Sequence, residues 1–78
     1  ERILERKAAA EKLWRGLEQI SEEHREILVL KEIQDFYYTE IASILDIPEG
    51  TVASRLYHAR RALREALLDT RVEDQKNS

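Results

Sequence analysis

Apolar residues recur at helical spacing through most of the chain and divide it into four segments. Across residues 1–19, Ala10, Leu13, Leu17 and Ile20 fall three or four apart, with Trp14 beside them and charges on the other faces. Ser21 suits the N-cap of a second helix, because its hydroxyl can accept from an unpaired N–H of the first turn. Glu22 and Glu23 then complement the positive end of the helix dipole. The reciprocal capping box is incomplete, since the third residue after Ser21 is His24 rather than Glu or Gln. This helix carries Ile27, Leu28, Val29, Leu30 and Ile33 over an arc wide enough to need more than one neighbour. It is expected to end near Asp35, ahead of the aromatic cluster Phe36-Tyr37-Tyr38.

A short third helix is expected from about Tyr38 to Leu45, burying Ile41, Ala42, Ile44 and Leu45. Asp46-Ile47-Pro48-Glu49-Gly50 is the one stretch that reads as a tight connection. Pro48 fits the first turn of a fourth helix, where its missing N–H costs nothing. In that helix Val52, Leu56, Ala59, Leu63 and Leu67 repeat within a narrow arc. The opposite face presents Thr51, Ser54, Tyr57, His58, Arg61, Arg64 and Glu65. The polar, unpatterned tail from Asp69 is expected to fray, leaving residues 1–70 as the domain and 71–78 as a disordered tail. The fold class is all-α: a small bundle of about four helices containing a helix-turn-helix.

Composition narrows the chemistry. Seventy-eight residues permit one domain and leave no room for a dinucleotide-binding unit or a barrel. Cysteine is absent, which excludes disulfides, thiolate metal sites and thiol nucleophiles. Two histidines far apart make a metal site unexpected, and no cofactor is implied. No apolar run approaches a membrane span and nothing resembles a signal peptide, so the expected compartment is the cytoplasm. The chain opens at Glu1 and lacks methionine, so it is expected to be a piece of a longer protein. No Ser/His/Asp set or Gly-rich phosphate loop is present, and Glu22, Glu23 and Glu26 read as a helix start rather than an acid/base pair, so an enzyme is not expected.

The net charge of −3 conceals an asymmetry. Residues 1–50 carry 7 Lys/Arg against 12 Asp/Glu, whereas residues 51–78 carry 6 against 4. Residues 51–64 hold Arg55, Arg60, Arg61, Arg64 and His58 with no acid among them. A basic stripe on one element of an acidic domain is an electrostatic footprint that overall charge hides, although a solvated helix face would look the same. Two helices joined by a short turn, with small Ala42 where they approach and Val52 and Leu56 anchoring the second, make a helix-turn-helix. The second helix of such a motif enters the DNA major groove with its N-terminal residues against base edges. That use requires an exposed face rich in donors and free of acids, which residues 51–64 supply. A helical bundle with a basic surface is the plain alternative.

The run from Ser21 through Ile33, then Tyr38-Thr-Glu-Ile-Ala-Ser-Ile-Leu, then Ile47-Pro-Glu-Gly-Thr-Val-Ala-Ser-Arg-Leu-Tyr-His-Ala-Arg-Arg-Ala-Leu-Arg also resembles a family. It is similar to region 4, the C-terminal domain of bacterial sigma factors, and most of all to the extracytoplasmic-function type, over about residues 8–68. The resemblance implies a domain that reads the promoter −35 element of double-stranded DNA through its fourth helix. It also implies docking on the β-subunit flap of RNA polymerase and, in many members, sequestration by an anti-sigma factor. Two departures concern turns: Asp35 and Asp46 stand where such domains usually carry glycine, and aspartate tolerates left-handed geometry. Tyr37 replaces the usual Ser or Thr cap, so the third helix is expected to lose that cap or to start later, at Thr39. Ala53 replaces a common Lys or Arg, removing a phosphate or guanine contact.

On this reading Ser54, Tyr57, His58 and Arg61 are the base-edge candidates. Arg55, Arg60 and Arg64 flank the apolar arc and pair with phosphates or local carboxylates, and Arg55 can equally lie over the core. Thr51 completes the reading face, and Tyr38 and Thr39 hold the DNA backbone at the start of the third helix. Gly50 allows a close approach or simply a turn. Leu13, Trp14, Leu17, Ile27 and Leu30 are candidates for a groove that takes a partner helix. Two competing readings use the same residues: a helical interaction module without DNA binding, and the DNA-binding domain of a LuxR-like response regulator. The second fits less well because the Val52-to-Leu67 stripe continues as one long helix.

Overall fold

The helix with the most regular apolar repeat is the one on which the others pack. The computed structural model describes residues 2–69, with α1 at Arg2–Gln19, α2 at Glu22–Leu28, a π-helical turn at Val29–Ile33, α3 at Tyr38–Leu45 and α4 at Glu49–Leu68. α1, α2 and α3 all contact α4. Val52, Leu56 and Ala59 of α4 are each 0% exposed and meet Leu17, Ile20, Ile27, Leu28 and Ile41 in one core. Removing a fully enclosed leucine such as Leu56 typically costs about 2–5 kcal/mol, much of the stability of a domain this small.

α1 touches the body only through its last turns, where Leu13, Gly16, Leu17 and Ile20 face inward. Gly16 is the close-packed glycine: a Cβ there would lie 2.8 Å from Leu67 Cδ2 and 3.1 Å from Leu63 Cδ1. Its missing side chain lets α1 cross α4 at short range. Residues 3–12 are exposed, so Ala10 lies on the part of α1 that runs past the core and is not buried as its spacing suggested. The C-terminal carbonyls of α1 are held by α2: Arg25 donates from Nε to Leu17 O at 2.9 Å and from Nη2 to Ile20 O at 3.2 Å. A cation there also meets the negative end of the α1 dipole.

Ser21 caps α2 as expected, accepting from His24 N at 3.1 Å. The helix does not continue regularly to Asp35. From Val29 it widens, with Gln34 N donating to Val29 O at 3.0 Å, five residues back. Past this π turn Ile33 faces outward, 47% exposed, and Glu32 faces α4. Asp35 then reverses the chain at φ 58°. Lys31 clasps the bend, with Nζ donating to Phe36 O at 3.2 Å, lying 3.6 Å from Asp35 Oδ1 and 5.6 Å from the centre of the Tyr38 ring.

α3 begins at Tyr38 rather than at Thr39, although Tyr37 makes no side-chain cap bond. The start is held from inside the helix, because Glu40 Oε1 accepts from Tyr37 N at 2.8 Å. With two turns the helix has one inward face, filled by Tyr38, Ile41, Ala42 and Leu45, and Ile44 is left exposed instead of buried. Asp46 ends α3 in the left-handed region (φ 56°, ψ 52°), with Ile47 N donating to Ala42 O at 3.0 Å and Asp46 N to Ser43 O at 3.3 Å. These are the paired bonds of a Schellman ending. Pro48 is the N-cap of α4 rather than its first helical residue, and accepts from Thr51 N at 3.0 Å. Gly50 has no atom within 4 Å of where a Cβ would stand, so no close intramolecular approach explains it. The tail expectation for 71–78 lies outside the described residues.

Two substitutions test this account. Asp46→Gly should stabilise the domain by about 0.5–1 kcal/mol by relieving left-handed strain, read as a higher thermal midpoint. Arg25→Met keeps the stem but strands two partly buried carbonyls, so it should cost about 1–3 kcal/mol in denaturant unfolding.

Candidate nucleic-acid interface

The turn Asp46–Pro48 sets α3 and α4 as a helix-turn-helix, and burial of one side of α4 fixes where its other side points. With Val52, Leu56 and Ala59 sealed inward, Ser54, Tyr57, His58 and Arg61 form one exposed stripe at i, i+3, i+4 and i+7. Tyr57 is 62% exposed and packs edge-to-face with His58, ring centres 5.3 Å apart at 78°. The contact restricts both rings before any ligand arrives. Ser54 Oγ donates to Thr51 O at 3.2 Å, leaving the hydroxyl's lone pairs free to accept. Ala53, Tyr57, Arg60, Arg61 and Arg64 line a shallow depression along this side.

The other residues singled out from sequence divide into groups. Thr51 is half-buried at the start of α4, and Thr39 is exposed at the start of α3. Tyr38 is half-buried, with its ring packed on the core beneath Lys31 and its hydroxyl beside Arg60 of α4. Arg55 is the most enclosed of the paired arginines and lies 3.7 Å from Glu23 Oε2, tying α4 to α2. Arg60 donates from Nε to Glu32 Oε2 at 2.9 Å. That hydrogen bond lifts the Arg60 guanidinium above its ordinary pKa, against the smaller opposing effect of burial. Arg61 lies 3.6 Å from Glu65, one turn along. Arg64 is exposed and forms no ion pair among the described residues.

The apolar candidates separate as well. Leu17 and Ile27 are core residues and cannot form the open wall of a groove. Leu13 and Leu30 are half-buried and pack on that core, while Trp14 is 51% exposed. A depression exists nearby, walled by Leu13, Glu32, Ile33 and Leu63 over a floor of Leu17 and Leu28. It continues along α4 past Leu67 to the exposed Leu68. Sequence reasoning missed Ile33 and Leu68 because each lies where a helix pattern ends. Among the described residues no group of three His, Asp or Glu side chains is placed to hold a metal ion, and no helix is long and apolar enough to cross a membrane.

Comparison with known proteins agrees with this geometry. The chain is 41% identical over 51 residues to the ECF RNA polymerase sigma-E factor of Escherichia coli (strain K12), covering 65% of this chain and 27% of that protein. It is 42% identical over 50 residues to the ECF RNA polymerase sigma factor SigW of Bacillus subtilis (strain 168), covering 64% and 27%. The sigma-E factor of Salmonella typhimurium (strain LT2) matches with the same identity and coverage as the first. The chain thus spans about a quarter of the length of the curated relatives it matches. The model of the family described as sigma-70, region 4, matches residues 10–63, which take in α2, α3 and most of α4, and the chain belongs to that family.

Proposed function

We propose that this chain reads the −35 element of a promoter through residues 51–64 of α4, within a sigma factor that directs RNA polymerase to initiate transcription. The observation that carries the reading is the acid-free stripe Ser54, Tyr57, His58 and Arg61, exposed on a helix whose Val52, Leu56 and Ala59 are fully enclosed on the other side. A helix presented this way can lie in the major groove, where hydroxyl, imidazole and guanidinium groups meet base acceptors and phosphates. Arg61 suits a forked contact with guanine, and the Tyr57 ring can cover a thymine methyl. Ala53 contributes no donor, so the stripe depends on Tyr57 and His58 for discrimination.

Affinity from this domain alone is low. The chain is net negative, and Arg55, Arg60 and Arg61 already face carboxylates. Few phosphate contacts mean few released counterions and a shallow salt dependence. Tethering to polymerase and to the remainder of the sigma factor raises the local concentration and makes a weak reader sufficient. The apolar depression of Leu13, Leu28, Ile33 and Leu63 supports docking of a helix from the polymerase β-subunit flap. An anti-sigma factor that silenced the domain would have to cover that depression, the α4 stripe, or both. The long α4 and the family match favour this reading over a LuxR-like domain, and a pure interaction module leaves the α4 stripe without a use.

Two measurements bear on it. In a ¹⁵N-HSQC titration at low and moderate salt, shifts should concentrate on residues 51–64, be larger for a −35-like duplex than for a scrambled one, and vanish in a Tyr57→Ala/Arg61→Ala variant. Equal, diffuse shifts for both duplexes, or none at low salt, would reduce the helix-turn-helix to a scaffold. Ile33→Glu should abolish the response to an added flap helix while leaving the duplex titration unchanged, because Ile33 borders the depression but lies away from the stripe.

A further inference from the structure

Three arginines of α4 face carboxylates of the chain itself, and the pairs are not equivalent. Arg61 and Glu65 lie one turn apart at 3.6 Å, both well exposed, in an arrangement that holds weakly. Arg55 and Glu23, at 3.7 Å, form a partly enclosed strap between α2 and α4. Arg60 and Glu32 differ from both. Their contact is a 2.9 Å hydrogen bond between residues 28 apart, with each side chain close to half exposed. Arg60 also lines the depression shared with Tyr57, Arg61 and Arg64.

A carboxylate and a phosphate offer a guanidinium the same chemistry: anionic oxygens that accept charge-assisted hydrogen bonds. Glu32 therefore holds Arg60 by the group that a DNA phosphate would use. We infer that Glu32 is an intramolecular competitor of DNA phosphate for Arg60. The inference rests on α4 being the DNA-facing helix. The competing oxygen belongs to the π turn and not to α4, so a side chain that swings to a phosphate leaves it behind. Each Arg60 contact with DNA then breaks one charged hydrogen bond to make another, and the net affinity from this position is small. Glu32 borders the apolar depression as well, beside Ile33 and Leu63.

The test uses the 78-residue chain and a labelled short duplex of arbitrary sequence, since phosphate contacts carry no base preference. Binding is followed by fluorescence anisotropy across a potassium chloride series for wild type, Glu32→Gln, Arg60→Gln and the double variant, with thermal melts to establish folding. Glu32→Gln should bind about threefold more tightly. Its log–log salt slope should steepen by about 0.9, the signature of one added phosphate contact. In the Arg60→Gln background the same change should give little gain and no change in slope. An equal gain in both backgrounds would show Glu32 acting only as background negative charge, and would overturn the inference. The double variant binding as tightly as Glu32→Gln would also overturn it, by showing that a released Arg60 never reaches phosphate. The reading of α4 as the DNA-facing helix would still stand or fall separately, on the Tyr57 and Arg61 titration.

Discussion

Burial of Val52, Leu56 and Ala59 is the constraint on which everything else depends. These three residues lie at the centre of the core that α1, α2 and α3 build on α4, with Leu63 and Leu67 extending it to Gly16 of α1, and they also fix the rotation of α4 about its axis. In most small bundles a core helix is free to present any polar residues to solvent. On the proposed function the outward side is the reading surface, so an error in core packing is an error in which side chains face DNA. Rotation by a single residue, about 100°, would turn Tyr57 and Arg61 off the exposed stripe. Stability and recognition are therefore set by the same contacts, and the core has to be well packed for the stripe to be accurate.

The turns serve the same end. Two aspartates occupy left-handed positions that glycine fills at lower cost, at φ 58° and 56°. The first closes the π turn under the clasp of Lys31, and the second ends α3 with a Schellman pair. An L-residue there narrows the conformations open to the unfolded chain, offsetting part of the strain it carries when folded. Arg25 does comparable work between α1 and α2, tying the end of one helix to the first turns of the next. Each connection thus has its own polar fastening, and α4 receives three helices whose relative angles are already restricted.

What the sequence makes legible follows from the range of each interaction. The α4 stripe is readable because periodicity is a local property, and the Ser21 cap and both aspartate turns are readable because few residue types fill such positions. Gly16 escapes notice because a glycine inside a helix looks only like a loss of propensity until Leu63 and Leu67 are placed against it. The π turn has no local signature, since the run Ile27 to Ile33 satisfies an α-helical pattern as well. That one displaced register accounts for several differences together: Ile33 outward, Glu32 against α4, and the apolar depression lying between Leu13, Ile33 and Leu63 without Ile27.

The distribution of charge then acquires a reason that composition alone does not supply. An acidic body with arginines on one helix would pull those arginines inward wherever a carboxylate is within reach, and Glu23, Glu32 and Glu65 are all within reach. Such pairing lowers the sequence-independent attraction to phosphate, which is the term that makes most DNA-binding domains stick to any duplex. It does not touch the contributions that the proposed reading gives to Ser54, Tyr57 and His58, which come from base edges and ring surfaces. A reader built this way gives up affinity mainly where affinity carries no sequence information. The fraction of its binding energy that distinguishes one site from another is correspondingly larger, which suits a module held near its site by a larger assembly.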